Sequence, residues 1–244
     1  MQFLRMDVYA PLASWGDIAV GEVRESWDRP SRSAVLGMIA AALGITRDDQ
    51  PAHDELDTAF GLAVRVVAAG VPVSDYHTAQ TATAAFVRAH RPATRRELLA
   101  ADELQTILST RKLRQDACWG VVLWNRASAR WSLDEVARAL TRPVFVIYAG
   151  RKANALGLPL NARVVESETL AAAFTPESIP LPEFSALRPV DGWGREVSHD
   201  RCEGFASGLE AVRSELRRDA QPNRVRWQFS ERVVEVGLLP SNGS

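Results

Sequence analysis

The first apolar run alternates. In FLRMDVY, Phe3, Arg5, Asp7 and Tyr9 fall on one side and Leu4, Met6 and Val8 on the other, the two-residue period of a β-strand. Pro11 is expected to end it. LASWGDIAVGEVRESWDRPSRS has no period, two glycines and two tryptophans, and reads as a loop. From Ser33 to Leu43 the period becomes helical, with Val35, Leu36, Ile39 and Leu43 on one face. Ser31 or Ser33 can cap that helix and Gly44 can close it.

Ala52–Phe60 reads as a second short helix and Gly61–Ala69 as a strand. Gly70 and Pro72 predict a turn, after which Val73–Gln80 resumes as the partner strand of a hairpin. Thr81–Glu97 is a polar, arginine-bearing connection. Leu104–Leu113 and Gly120–Asn125 read as a further strand pair bridged by RQDACW. Leu133–Leu140 is a helix with Ser132, Asp134 and Glu135 at its start, followed by Pro143 and a strand, Val144–Ala149. Without the extra hairpin this order is βαββαβ, the ferredoxin-like pattern that also underlies the RNA recognition motif. The remainder is loop-rich, with Pro159, Pro176, Pro180, Pro182, Pro189 and Pro222. It predicts a helix near Cys202–Arg218 and a final strand pair around Val225–Val236, an extension packed on the first domain.

Composition adds limits. A 244-residue chain with 46% hydrophobic and 24% charged residues can bury a core without metals or disulfides. The longest apolar stretch, Ala34–Ile45, falls short of the roughly 18 residues that span a membrane. MQFLRMDVYAPL carries a charge and no cleavage site, so it reads as a strand and not a signal peptide. Cys118 and Cys202 permit one disulfide but read as two reduced thiols, with a cytoplasmic location as the default. The net charge of −1 means that any nucleic-acid surface must be local. All 29 cations except Lys112 and Lys152 are arginine. Codon bias explains such an excess, although arginine also supplies planar forks for phosphate.

No P-loop, dinucleotide fingerprint, nucleophile elbow or His-Glu-x-x-His occurs, and no two of His53, His77, His90 and His199 stand at metal-ligand spacing. No cofactor or metal is expected. His77, in DYHTAQ, can serve as an acid or base in metal-free RNA cleavage, or hydrogen-bond without catalysis. Two cationic stretches stand out: Arg88–Arg114, with Arg111, Lys112 and Arg114 at the tip STRKLRQ, and AGRKANALG, with Arg151 and Lys152 beside Gly150. Each could be a solvated turn; small residues beside cations also let a backbone approach phosphate. Trp15, in a loop, can stack on a base, whereas Trp119, Trp124, Trp131 and Trp227 read as core.

PLASWGD, AVGEVRESWDRPSRSAVLGMIAAALGITRDD, DYHTAQ, STRKLRQDA and PVFVIYAGRKANALGLPL follow one another in an order that resembles the CasD family of type I-E CRISPR Cascade, within the repeat-associated (RAMP) superfamily. The resemblance covers about residues 1–160. It implies a modified ferredoxin-like, RRM-like domain over 1–165 with a protruding β-hairpin thumb at about 81–125, and a loop-rich extension over 166–244. It implies a non-catalytic subunit that caps the 5′ handle of the crRNA and joins the Cascade backbone subunits to the large subunit. Target DNA would be met only through the complex, and no membrane is involved. The alternative is a metal-independent repeat endoribonuclease with His77 assisted by Tyr76 and Lys152. The RNA-binding positions implied are Ser14, Trp15 and Gly16; Arg24; Ser31 and Arg32; His77 and Thr78; Ser109, Arg111, Lys112 and Arg114; and Gly150, Arg151 and Lys152. Lys112 departs from the bulkier residue expected there, and Leu113 is expected to help the thumb wedge between bases.

Overall fold

A computed structural model describes residues 1–17, 19, 21–127, 129–174 and 194–241. Pro176, Pro180, Pro182 and Pro189 lie outside the described residues. The strands are β1 (Gln2–Ala13), β2 (Trp15–Gly16), β3 (Val23–Arg24), β4 (Ser26–Trp27), β5 (Phe60–Ala68), β6 (Val71–Ala82), β7 (Leu104–Asn125), β8 (Arg163–Glu166), β9 (Glu196–His199), β10 (Glu210–Asn223) and β11 (Gln228–Leu238). The helices are α1 (Arg32–Leu43), α2 (Gln50–Ala59), α3 (Ala84–His90), α4 (Arg95–Leu98), α5 (Leu133–Thr141) and α6 (Leu170–Ala173).

One large sheet runs in the order β10–β11–β9–β5–β7–β1–β8, and every neighbouring pair on that path is antiparallel. The alternation of β1 divides its side chains between two apolar layers. Leu4, Met6 and Val8 pack with Val121, Leu123 and Trp119 under α1, α2 and α5. Phe3 packs with Trp124, Val122, Leu170 and Phe174 on the other face. Gly61 opposes Trp124 on β7, and a Cβ there would meet the indole ring at 2.1 Å, so the glycine makes room for the tryptophan. α1 starts and stops where its caps dictate: the Ser31 side chain accepts from Ala34 N, and Gly44 takes the left-handed conformation. α5 has a capping box between Ser132 and Glu135.

Several elements differ from the sequence reading. β1 continues through Pro11 to Ala13. RQDACW is not a turn, because β7 is one strand of 22 residues. Its second half pairs with β1 and β5 in the core, and its first half leaves the core to pair with β6, from Val71↔Gln115 to Ala82↔Leu104. β5 and β6 therefore do not form a hairpin with each other; they follow one another along β7. The change of direction falls at Gly70, at φ 66°, where a Cβ would lie 2.4 Å from the Gln115 carbonyl. The extended hairpin is thus β6 with the first half of β7, and it carries α3 and α4 at its tip. Residues 144–149 form no ladder. Val144 and Phe145 instead donate to the Ala42 and Ala41 carbonyls at the end of α1, and the place beside β1 is taken by β8. The expected helix at Cys202–Arg218 is largely strand β10.

Candidate nucleic-acid interface

Strand register brings the expected residues together in two groups. Directly opposed residues share a face of a sheet. On one face of the β6–β7 hairpin, Asp75 opposes Arg111 and His77 opposes Ser109. On the other face, Ser74 opposes Lys112 and Pro72 opposes Arg114, and Tyr76 and Thr78 share that side. The pleat thus separates Arg111 from Lys112 and Arg114, and His77 from Thr78.

The first face is extended by β3, which pairs in parallel with β7 and sets Arg24 beside Arg111. Glu22 fixes this pairing, its carbonyl accepting from Thr110 N at 2.9 Å. Asp75, Arg111 and Arg24 therefore form a row across three strands. Arg151 completes it from a separate loop. Burial, then the charges of Arg111 and Arg24, push the Arg151 guanidinium below its ordinary range, against the opposing pull of Asp75. The row is a concentration of positive charge containing one carboxylate. Asp75 also pairs with the His77 ring through Nε2.

Gly150 sets the position of Arg151. It has φ 83°, and a Cβ would sit 1.8 Å from the Ser14 carbonyl oxygen. Ser14 N donates to Ala149 O at 3.1 Å, and Ser14 Oγ donates to Lys112 O at 3.3 Å. The buried Asn154 closes the loop, its side chain donating to Ala149 O. The loop of Gly150–Lys152 is thereby clamped between the end of β1 and β7, while Lys152 projects into solvent.

Gly16, Ser31 and Gly150 line a cavity with Ser14 and Trp15. Trp15 is not a free stacking platform: it is 1% exposed and packs edge-on against Trp119 at 5.1 Å. The Arg32 side chain is likewise committed within the protein. It is 3% exposed, its Nε donates to Asp57, its Nη1 to Asp200 and its Nη2 to the Phe60 carbonyl. Asp200 also holds Arg126, Arg232 and Leu62 N, and Asp219 holds Arg232 and Arg32 N. This network fastens β10 and β11 to the start of α1. Burial pushes Asp219 upward, but its hydrogen bond and charge interaction with Arg232 outweigh that and leave it below the ordinary carboxylate range.

Arg114 lies on the far face beside Asp28, in a mixed-charge recess with Arg213, Glu215 and Arg217. The expected trio of His77, Tyr76 and Lys152 is divided, since adjacent His77 and Tyr76 point to opposite faces. Of the tryptophans read as core, Trp119 and Trp124 are buried, whereas Trp227 is 50% exposed in the β10–β11 turn. That turn also brings Arg224 over α1, a contribution the sequence reading missed. Its one signal is the Arg and Trp pattern in PNRVRW. Cys118 is buried and Cys202 half-buried, both free, and burial pushes their thiols up to about 12 and about 11. Among the described residues no helix is long and apolar enough to cross a membrane, and no His, Cys, Asp and Glu cluster could hold a metal ion.

The chain is 28% identical over 168 residues to the CRISPR system Cascade subunit CasD of Escherichia coli (strain K12), covering 65% of this chain and 69% of that protein. In fold it is similar to a solved chain described as a CRISPR RNA-guided surveillance complex, with a TM-score of 0.63 and 24% identity over 98% of this chain and 90% of the other. A crystal structure of a Cas protein matches with a TM-score of 0.55, 24% identity and coverage of 98% and 95%. The family model described as CRISPR-associated protein (Cas_Cas5) matches residues 3–235, from within β1 into β11, and the chain belongs to that family.

Proposed function

We propose that this protein is a non-catalytic RNA-binding subunit of a CRISPR surveillance complex and that it holds the repeat-derived 5′ handle of the crRNA. The observation that carries the reading is the Arg24–Arg111–Arg151 row, three guanidinium groups from separate segments with Asp75 among them. Like charges gathered in this way repel. A phosphodiester chain laid along them removes that cost and gains charge-assisted hydrogen bonds. Gly150, by letting its loop pack on the Ser14 carbonyl, holds Arg151 in place beside the other two.

The name of the E. coli relative supports the setting, a Cascade complex. There the partners would be the backbone subunits along the crRNA and the large subunit, with target DNA reached only through the assembly, no cofactor, and the cytoplasm as its place. The spatial order β8–β1–β7–β5 supports a modified ferredoxin-like, RRM-like domain over about 1–165. In that reading the β6–β7 hairpin is the thumb, and the residues after about 166 extend the sheet. Exposed Tyr76 and Ile107 then offer the thumb's apolar contacts, in place of the buried Leu113.

The test is binding of crRNA to the purified protein across a salt series. Arg111→Ala and Arg151→Ala should each weaken binding, and the slope of log affinity against log salt should flatten by about 0.7 for each phosphate no longer neutralised. Wild-type binding and assembly by both variants would overturn the reading. Repeat RNA incubated with the protein alone in EDTA should remain uncut; a cut at the repeat would favour the endoribonuclease alternative, for which His77 would have to act without Tyr76.

A further inference from the structure

The β10–β11 turn holds an aromatic side chain out of the core. Trp227 has φ 50°, a backbone state that costs a residue other than glycine strain. Arg47 lies over its ring at 4.6 Å, Phe229 stacks nearby at 6.1 Å, and half of the side chain remains exposed. The turn is tied to α2, with Arg224 N donating to the Gln50 side chain at 2.8 Å. The Arg224 guanidinium lies over Gly37, 3.2 Å from where a Cβ would stand.

Beneath the turn is a cavity of about 250 Å³. Its floor is the first half of α1, where Ala34 and Gly37 leave a flat surface and Ser31 and Ser33 add hydroxyls. Tyr148 and Trp227 supply aromatic walls. A nucleotide fits this lining: its flat ring matches the aromatic walls and the small-residue floor, and its phosphate the Ser31 and Ser33 hydroxyls and the Arg224 guanidinium.

We infer that the β10–β11 turn, through Arg224 and Trp227, closes a pocket that takes one nucleotide of the bound RNA out of line. The inference rests on the RNA-binding reading and extends it to the C-terminal hairpin.

The experiment measures affinity of the full chain for handle RNA in which each base in turn is replaced by an abasic site. One position should lose on the order of tenfold, the loss that one base–aromatic contact carries. Gly37→Leu, which fills the floor, and Trp227→Ala, which opens the wall, should each cost about as much with intact RNA and nothing further with the RNA abasic at that position, a non-additive cycle. Trp227→Phe should restore most of the loss. The inference is overturned if no position stands out, or if the variants and the abasic site are additive. It is also overturned if the variants lose subunit assembly without losing RNA affinity, which would assign the cavity to a protein side chain. Arg111→Ala in parallel separates the two readings: normal RNA affinity there removes the arginine row and leaves the cycle as an independent result.

Discussion

Arg32 decides between two physical roles that its position next to a helix start allows. As a phosphate ligand it would be exposed, and its removal would weaken RNA binding with little effect on stability. In the fold it is a clamp. Arg32→Ala would remove one member of the buried pair with Asp200 and strip donors from the carbonyls of Asp57 and Phe60. Breaking a buried ion pair by removing one partner costs about 3–5 kcal/mol. Asp200 retains Arg126, Arg232 and Leu62 N, and the Asp57 side chain, 41% exposed, can turn to water. These compensations favour the lower part of that range. For a chain of this size each kcal/mol moves Tm by about 2–4 °C, so a cost of about 3–4 kcal/mol gives an expected fall of roughly 6–16 °C. Thermal unfolding by circular dichroism measures it. RNA affinity, taken well below the variant's Tm, should stay within about twofold, because the substitution removes no group that neutralises a phosphate. A variant that melts within a degree or two of the wild type and binds RNA an order of magnitude more weakly would refute the assignment of Arg32 to the clamp.

Three further outcomes are expected. Asp75→Asn removes the carboxylate from the arginine row, so RNA affinity should rise a few-fold at low salt and the salt dependence should steepen; filter binding at several salt concentrations would show an unchanged slope if Asp75 lies off the RNA path. Gly150→Ala cannot keep the loop where it is, with Ser14 O 1.8 Å from the new Cβ, so both Tm and RNA affinity should fall, and a variant equal to the wild type in both would contradict the clamped loop. Asp219 is held below its ordinary pKa in the fold, so its stabilising contribution is complete above about pH 4 and is lost as pH falls through the folded value. Arg232→Gln should lower Tm at neutral pH by a margin that shrinks below pH 4; a margin constant down to pH 2 would exclude the linkage.

The parts of the fold legible in the sequence are those whose signals are local. β1 is buried on both faces, and its two side-chain sets each found a layer, so the alternation is informative. Ser31 and Gly44 bracket α1 because cap chemistry is set within a few residues. The misreadings have tertiary causes. RQDACW resembles a turn because its polar residues lie where β7 leaves the core, and there a strand can carry polar side chains and still pair with β6. EAVRSELRRDA favours helix by composition, yet pairing with β11 makes it strand, an override of local propensity by long-range contacts. VFVIYA has the β-branched character of a strand, but β8 occupies the side of β1 that faces away from β7. In the site, the chain order gives Arg111 and Arg151 as candidates without showing that Arg24 joins them, since that requires the parallel pairing of β3. Arg224 and Trp227 lie in a turn whose meaning depends wholly on what α1 places beneath it.

The insertion of β9 beside β5 has a bearing on how the molecule is made. Ala63, Val64 and Arg65 pair with residues 197–199, more than half the chain away in sequence. Until those residues have been synthesised and docked, one side of β5 is an unpaired strand edge flanked by the apolar side chains of Leu62 and Val64, the kind of surface that templates association between chains. Pairing across so large a sequence separation is slow, because loop closure precedes its reward. A chain cut after Glu166 would hold that edge open permanently and also lose Asp200, so it should aggregate during expression even though it contains the whole arginine row. The C-terminal strands are in this sense the step that makes the earlier two-thirds safe to accumulate.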